Sequence, residues 1–194
     1  MRVEIERQSE SMWQRVKNLA MRTIGKDSGK APSTQWKTKI LLAEHSPIRS
    51  LKFYITVKSL KYWISVHFVR HKTGIEHYVS TQRTDRTGIE RDDLPQKSFV
   101  SHTMDVNAQA LINMARKRLC NQAAAETVQT FKAIKEEIAK YEPELASVMV
   151  RECVYRGFCP EMKCCGYVNT EEFRRERLEY ASKGVMPNGT NSEV

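Results

Sequence analysis

The sequence predicts a single α+β domain: a small mixed or antiparallel sheet packed by long helices. Three observations carry this. The 194 residues, 40% of them hydrophobic, can bury a core without disulfide or metal staples. Leu51, Phe53, Ile55 and Val57 alternate with Lys52, Tyr54, Thr56 and Lys58, the period of a half-buried strand. Residues 107–140 read as one long helix, which Pro143 ends. The domain is expected over residues 1–183, with a flexible tail over 184–194.

Val3 and Ile5 alternate with charged neighbours as a short strand does. Residues 11–24 carry Met12, Val16, Leu19 and Ala20 at helical spacing, and residues 25–33 form a Gly, Pro and Ser loop. Ser33 or Thr34 caps a helix to about Glu44. After the strand at Leu51, residues 60–71 switch period. Leu60, Trp63, Ile64, His67, Phe68 and His71 recur at i, i+3, i+4, which places both histidines on an apolar helix face. Residues 81–96 are polar and turn-rich, and residues 99–106 return as a strand before the long helix. A short helix over 144–150, a cysteine-rich loop over 151–166 and a charged helix over 170–182 complete the body.

Thirty-two Lys plus Arg against 23 Asp plus Glu give +9, so an anionic partner is expected, whether nucleic acid, acidic lipid or a phosphorylated small molecule. No apolar stretch approaches the roughly 18 residues of a membrane span, and the charged start shows no secretory signal. Five cysteines, an odd number with four between Cys153 and Cys165, fit a reduced cytoplasmic protein. Asn188-Gly189-Thr190 is a glycosylation sequon in form alone on that reading.

Candidate chemistry begins at Arg70-His71-Lys72, followed after seven residues by Ser80 and then Thr81-Gln82-Arg83. Cationic groups at a helix end, with a hydroxyl, an amide and a guanidinium behind them, can cradle phosphate and a heterocycle. On spacing alone a solvated basic helix terminus is the favoured reading, because basic clusters are common on surfaces. Asn107 and Arg118, eleven residues apart, share a helix face with Met114 and Ala125. Polar groups in an apolar stripe need partners, and both an internal carboxylate and an anionic ligand remain open.

Cys153, Cys159, Cys164 and Cys165 are close enough in sequence for zinc, but none forms a Cys-x-x-Cys pair and two are adjacent. A packed turn with buried thiols is preferred, and no metal is expected. His45, His77 and His102 read as ordinary surface or boundary residues, and Trp13, Trp36 and Trp63 as core packing.

These segments resemble, in order and roughly in spacing from His45 to Glu126, the flavin-dependent thymidylate synthases. That family's Arg-His-Arg, seven residues and Ser appears as Arg70-His71-Lys72 and Ser80. Its helix-opening Asn-Ala-Arg, with an Asn and an Arg beyond, is matched by Asn107-Ala108-Gln109, Asn113 and Arg118. Its Arg before Leu-Pro is matched by Arg91 ahead of Leu94-Pro95, and its His-x-x-Pro segment resembles His45-Ser46-Pro47.

The resemblance implies the thymidylate synthase-complementing fold and reductive methylation of dUMP, or a related pyrimidine nucleotide, to dTMP. The family uses methylenetetrahydrofolate, FAD and NADPH, without an enzyme nucleophile, at sites formed between subunits of a homotetramer. By this resemblance Arg70, His71, Lys72, Asn107, Gln109 and Asn113 bind FAD, and His67, Ser80, Gln82, Arg91 and Arg118 hold the nucleotide. Arg118 is the implied catalytic residue, favouring ionisation at uracil N3. Lys72, Gln82 and Gln109 stand where the family has Arg, Arg49 and Ser50 replace an acidic residue and a histidine, and Tyr78 replaces a usual Glu. The competing expectation is a non-catalytic, nucleic-acid-binding protein on a related scaffold, supported by charge but by no helix-turn-helix, zinc-finger or RNA-binding signature.

Overall fold

The computed structural model, which describes residues 1–184 apart from 8, 10 and 28, turns the period-two patterning into a four-stranded sheet. In chain order the elements are β1 (Arg2–Arg7), α1 (Met12–Arg22), α2 (Thr34–Leu42), β2 (Lys52–Lys61), α3 (Tyr62–Phe68), β3 (Ile75–Val79), α4 (Thr84–Thr87), β4 (Phe99–Asn107), α5 (Ala108–Arg118), α6 (Ala125–Ala139), α7 (Pro143–Val148), α8 (Glu152–Arg156) and α9 (Glu171–Ser182). The strand order is β1-β2-β4-β3 and every pairing is antiparallel, so of the two expected arrangements the antiparallel one is realised.

Alternation gives the sheet two unlike faces. Phe53, Ile55 and Val57 of β2, with Val100, His102, Met104 and Val106 of β4, point into the core beneath α3, α5 and α6. The opposite face carries Lys52, Tyr54, Lys58, Glu76 and Tyr78, all exposed. The core continues through Phe68, Leu111, Met114, Phe131 and Ile134. Ser33 caps α2 by accepting from Trp36 N at 3.2 Å, as Thr170 caps α9 by accepting from Phe173 N at 3.2 Å. Trp13, Trp36 and Trp63 all pack on the core. No helix among the described residues is long and apolar enough to cross a membrane.

Several expectations need correction. Leu60 and Lys61 end β2 and do not start a helix. A bulge between Val57 and Leu60, with Ser59 left-handed at φ 55°, shifts the inward phase by one, so Leu60 is buried but out of step with Val57. The helix that follows ends at Phe68, so His71 lies beyond it. Residues 75–79 form a further strand outside the expected elements.

The expected long helix is two, α5 and α6, and therefore Met114 and Ala125 do not share one helix face. The break has a tertiary cause. The buried Arg151 side chain donates to Leu119 O at 3.0 Å, the carbonyl that Ala123 N would use in a continuous helix, and Ala123 N turns to Cys120 O at 2.9 Å instead. Pro143 opens α7 at its first position and ends nothing, because α6 already stops at Ala139. The cysteine-rich stretch contains the short helix α8. The expected tail lies, past Gly184, outside the described residues.

Candidate active site

Leaving α3, the chain turns tightly, with His71 N donating to Phe68 O at 3.0 Å, so Arg70, His71 and Lys72 sit on a turn. Gly74 then enters β3 at φ +74°, and a Cβ there would meet Asn107 Nδ2 at 2.4 Å. This position requires glycine twice, for its dihedral and for the close approach. Asn107 is the N-cap of α5: its Oδ1 accepts from Ala110 N at 2.9 Å while its own N–H donates to Gly74 O at 3.0 Å.

At the other end of α5, Arg118 Nε donates to His71 Nε2 at 2.8 Å and Nη2 donates to His67 O at 2.6 Å. Among the described residues Arg118 has no carboxylate partner. Burial first, and then the charge of Arg70, lower its pKa, yet a guanidinium stays protonated. Because His71 Nε2 accepts, that ring is neutral. Burial, Arg118 and His77 pull its pKa down to about 4. Burial likewise lowers His67, helped by Arg118 and Arg70, and His67 Nδ1 lies 2.9 Å from Thr127 Oγ1 on α6.

His77 and His102, expected at the surface or its boundary, extend this cluster inward. His77 Nε2 donates to His71 O at 2.7 Å, leaving Nδ1 to accept from His102 Nε2 at 2.9 Å when both rings are neutral. His102 is fully buried and its Nδ1 has no partner among the described residues. Burial, then His77, brings its pKa down to about 4. The two rings meet diagonally across β3 and β4, where His77 registers with Met104 and Val79 with His102. The signal for His102 was present in the sequence, since it is in phase with Val100, Met104 and Val106.

Of the nominated residues, the structure joins His67, His71 and Arg118 directly, with Arg70 near enough to act on two of them electrostatically. Arg70 and Lys72 are exposed and without a carboxylate partner among the described residues. Ser80 extends the β3–β4 ladder: its N–H donates to Ser101 O at 2.8 Å and its Oγ accepts from Ser101 N at 2.9 Å. Gln82 is half-buried, and Arg91 is exposed in a 3-10 turn.

Gln109 and Asn113 lie elsewhere, on the other face of α5. Gln109 Nε2 donates to Glu44 Oε2 at 2.5 Å, and Arg116 pairs with the same carboxylate while donating to Asn113 Oδ1 at 3.3 Å. Glu44, left-handed at φ 50°, had not been nominated, although it organises this group. A groove of about 390 Å³ lined by Lys132, Lys135, Glu176 and Tyr180 contains none of the nominated residues.

No protein-family model and no curated protein matches the chain. Solved structures do match its fold. One is the flavin-dependent thymidylate synthase ThyX of Helicobacter pylori complexed with FAD and dUMP: TM-score 0.59, 13% identity, 76% of this chain and 100% of that chain covered. Another is the UMP/dUMP methylase PolB of Streptomyces cacaoi bound with 5-Br dUMP: TM-score 0.56, 14% identity, with 81% and 96% covered. A second Helicobacter pylori ThyX structure with FAD and dUMP gives TM-score 0.53 at 14% identity, with 75% and 99% covered. At these identities the likeness is one of fold.

Proposed function

We propose that this chain is a flavin-dependent nucleotide methyltransferase that converts dUMP, or a closely related pyrimidine nucleotide, to its 5-methyl product. The observation that carries the reading is Arg118: a half-buried guanidinium with a second arginine beside it, no carboxylate partner among the described residues, and a place next to the Arg70-His71-Lys72 turn. Two adjacent cations without an acid suit an anionic ligand. The fold shared with proteins solved with FAD and dUMP agrees with that chemistry.

The polar residues fit FAD as two half-sites. Arg70 and Lys72 offer unpaired cations suited to a diphosphate, and His71 lies between them. Gln109 and Asn113, gathered by Glu44 and Arg116, form a separate polar group on the far face of α5. One chain therefore does not bring the set to one place, which favours a site completed by another subunit. Tyr54, Tyr78 and Phe99, 39%, 59% and 68% exposed and projecting from the sheet face opposite the core, give such an assembly an apolar contact. A homotetramer in an intracellular, thiol-reducing setting is the reading.

FAD, reduced by NADPH, would supply the hydride, and methylenetetrahydrofolate the carbon. The chain's own groups do the rest. Arg118, fixed by His71 Nε2 and His67 O, presents a permanent positive charge where a uracil N3 anion develops, and such a preoriented cation favours the transition state over the ground state. Neutral His71 holds that fork in place without competing for the anion. Ser80, Gln82 and Arg91 are the nucleotide-holding groups on this reading.

The test is direct. The purified chain should be yellow, release FAD on denaturation and rescue a thymidine auxotroph, and Arg70→Ala should weaken FAD binding by about 1.5–3 kcal/mol. Light scattering should report a tetramer. A colourless chain that binds no added FAD and retains nucleic acid overturns the reading in favour of a binding module.

A further inference from the structure

His102 is fully buried in β4, in phase with Val100, Met104 and Val106, and its ring lies 5.9 Å from that of Phe68. An imidazole is costly at such a core position, which an aliphatic side chain would fill without stranding a polar atom. What it gains is the 2.9 Å hydrogen bond to the half-buried His77 on β3. His77 in turn reaches the carbonyl of His71 through Nε2 at 2.7 Å. Because a carbonyl only accepts, His77 Nε2 carries the proton, and the Nδ1 edge of a neutral His77 takes the bond from His102 Nε2.

The carbonyl at the end of this chain stands on the tight turn after α3, whose Arg70, Lys72 and Thr73 are all exposed. Little packing therefore holds the turn. Water can satisfy the oxygen of an exposed turn, so satisfaction alone does not call for two imidazoles reaching out of the sheet. What they add is a fixed place: His77 ties the turn to β3, and His102 ties His77 to the core.

We propose that His77, braced by His102, is a positioning residue for Arg118: by holding the His71 carbonyl it sets where the His71 ring stands, and so where the guanidinium points. Arg118 has two acceptors, His67 O at 2.6 Å and His71 Nε2 at 2.8 Å. The first is backbone and α3 places it. The second is a side chain on a turn, and its place follows whatever holds the turn. A guanidinium anchored at one point can swing about it, whereas two anchors fix its orientation. Burial keeps His71 and His102 neutral, with pKa values of about 4, so each link keeps its donor and acceptor roles near neutral pH. The consequence for turnover rests on the methyl transfer proposed for Arg118; the hold on the guanidinium does not.

Two substitutions separate the two bonds of His77, because an Asn amide reaches about as far as imidazole Nδ1 and a Gln amide about as far as Nε2. His77→Asn can still partner His102 but cannot reach His71 O, while His77→Gln can reach it. In NMR of the full chain, Arg118 Nε–H should be slow to exchange with solvent. His77→Asn should speed that exchange about tenfold or more, and His77→Gln should restore most of the protection. With dUMP as substrate, His77→Asn should lower kcat about tenfold with KM and flavin content near native, and His77→Gln should recover most of the rate. A merely structural His77 gives the opposite order, since Asn keeps the buried His102 partnered and Gln strands it. That order overturns the proposal, as do Arg118 exchange indifferent to both variants and a native His77 in the Nδ1–H tautomer. A chain that forms no methylated nucleotide overturns the methyl transfer, and the exchange of Arg118 Nε–H then decides the positioning by itself. If neither variant folds, His102→Leu, which fills the core position without a donor, should loosen Arg118 Nε–H in their place, and unchanged exchange there overturns the proposal.

Discussion

Arg118 and Arg151 stand on either side of the same helix break, and their surroundings are opposite. Arg151 is 7% exposed, donates to Glu176 at 2.6 and 2.7 Å, to Tyr167 Oη at 2.7 Å and to Leu119 O at 3.0 Å, and lies 4.1 Å over the Tyr167 ring. Burial, the largest single influence, pulls its pKa down, but the bond to Glu176 together with the charges of Glu176, Tyr167 and Glu172 outweighs it, and the net shift is upward. Among the described residues Arg118 has only a neutral imidazole and a carbonyl as acceptors, and its pKa falls. Burial alone therefore does not separate a structural arginine from a binding one. What separates them is whether the fold itself supplies the negative charge. The two are also linked, since Arg151 takes Leu119 O and so ends α5 at Arg118, with Leu119 as its C-cap.

The largest expected effect concerns turnover. Arg118→Lys keeps a charge but loses the two-pronged grip on His71 and His67, and it should slow formation of the methylated nucleotide by about 10²-fold or more. Flavin content and melting temperature should hardly change. A fully active variant would make Arg118 the equivalent of Arg151 and erase the distinction.

Arg151→Ala should do the reverse, costing about 2–3 kcal/mol in urea unfolding. That falls below the usual cost of breaking a buried pair, because Glu176, at 34% side-chain exposure, can rehydrate. Arg118→Met should stay within about 1 kcal/mol, since it removes a charge that the fold does not pair.

The next test is pH. Burial holds the His71 and His102 pKa values down to about 4 in the folded chain, against the ordinary 6.5 of an exposed histidine, so between these limits the unfolded chain binds more protons. Stability from both groups is fully present above about pH 6.5, declines as pH falls through that window and stops declining near pH 4. Imidazole resonances followed by NMR should show both rings neutral at pH 5.5, and a ring that protonates near 6.5 would remove that histidine from the buried cluster. The smallest effect is at the far end of α5: Asn107→Ala should cost about 1 kcal/mol by loss of the N-cap, measured by thermal unfolding. No loss there would release Asn107 from its structural role and leave it free for a ligand.

Much of the fold was legible because its patterns are local. Period-two runs at Val3 and at Phe53 became β1 and β2, the strand expected over 99–106 became β4, the cap expected at Ser33 starts α2, and the charged helix expected over 170–182 is α9. The nominated His67, His71 and Arg118 do meet. Leu60 was misread because the bulge at Ser59 breaks the strand phase, and β3 was passed over although Ile75, His77 and Val79 alternate within the motif's seven-residue spacer and its flank.

By itself, then, the sequence determined the α+β class, most of the strands and helices, and the ordered polar residues that nominate a site, since each depends on periodicity or on spacing along one chain. Only the tertiary structure decided three things. Arg151, far along the chain, splits the expected helix and leaves Arg118 at a helix end. That turn carries Cys120 to Cys153, Cys159 and Cys165, with which it lines a small cavity, and leaves Cys164 exposed outside it. His77 and His102 close behind His71 through a diagonal register between strands. Each depends on one long-range hydrogen bond, turn or register, and hydrophobic period carries no information about which distant group will satisfy a particular carbonyl or ring nitrogen.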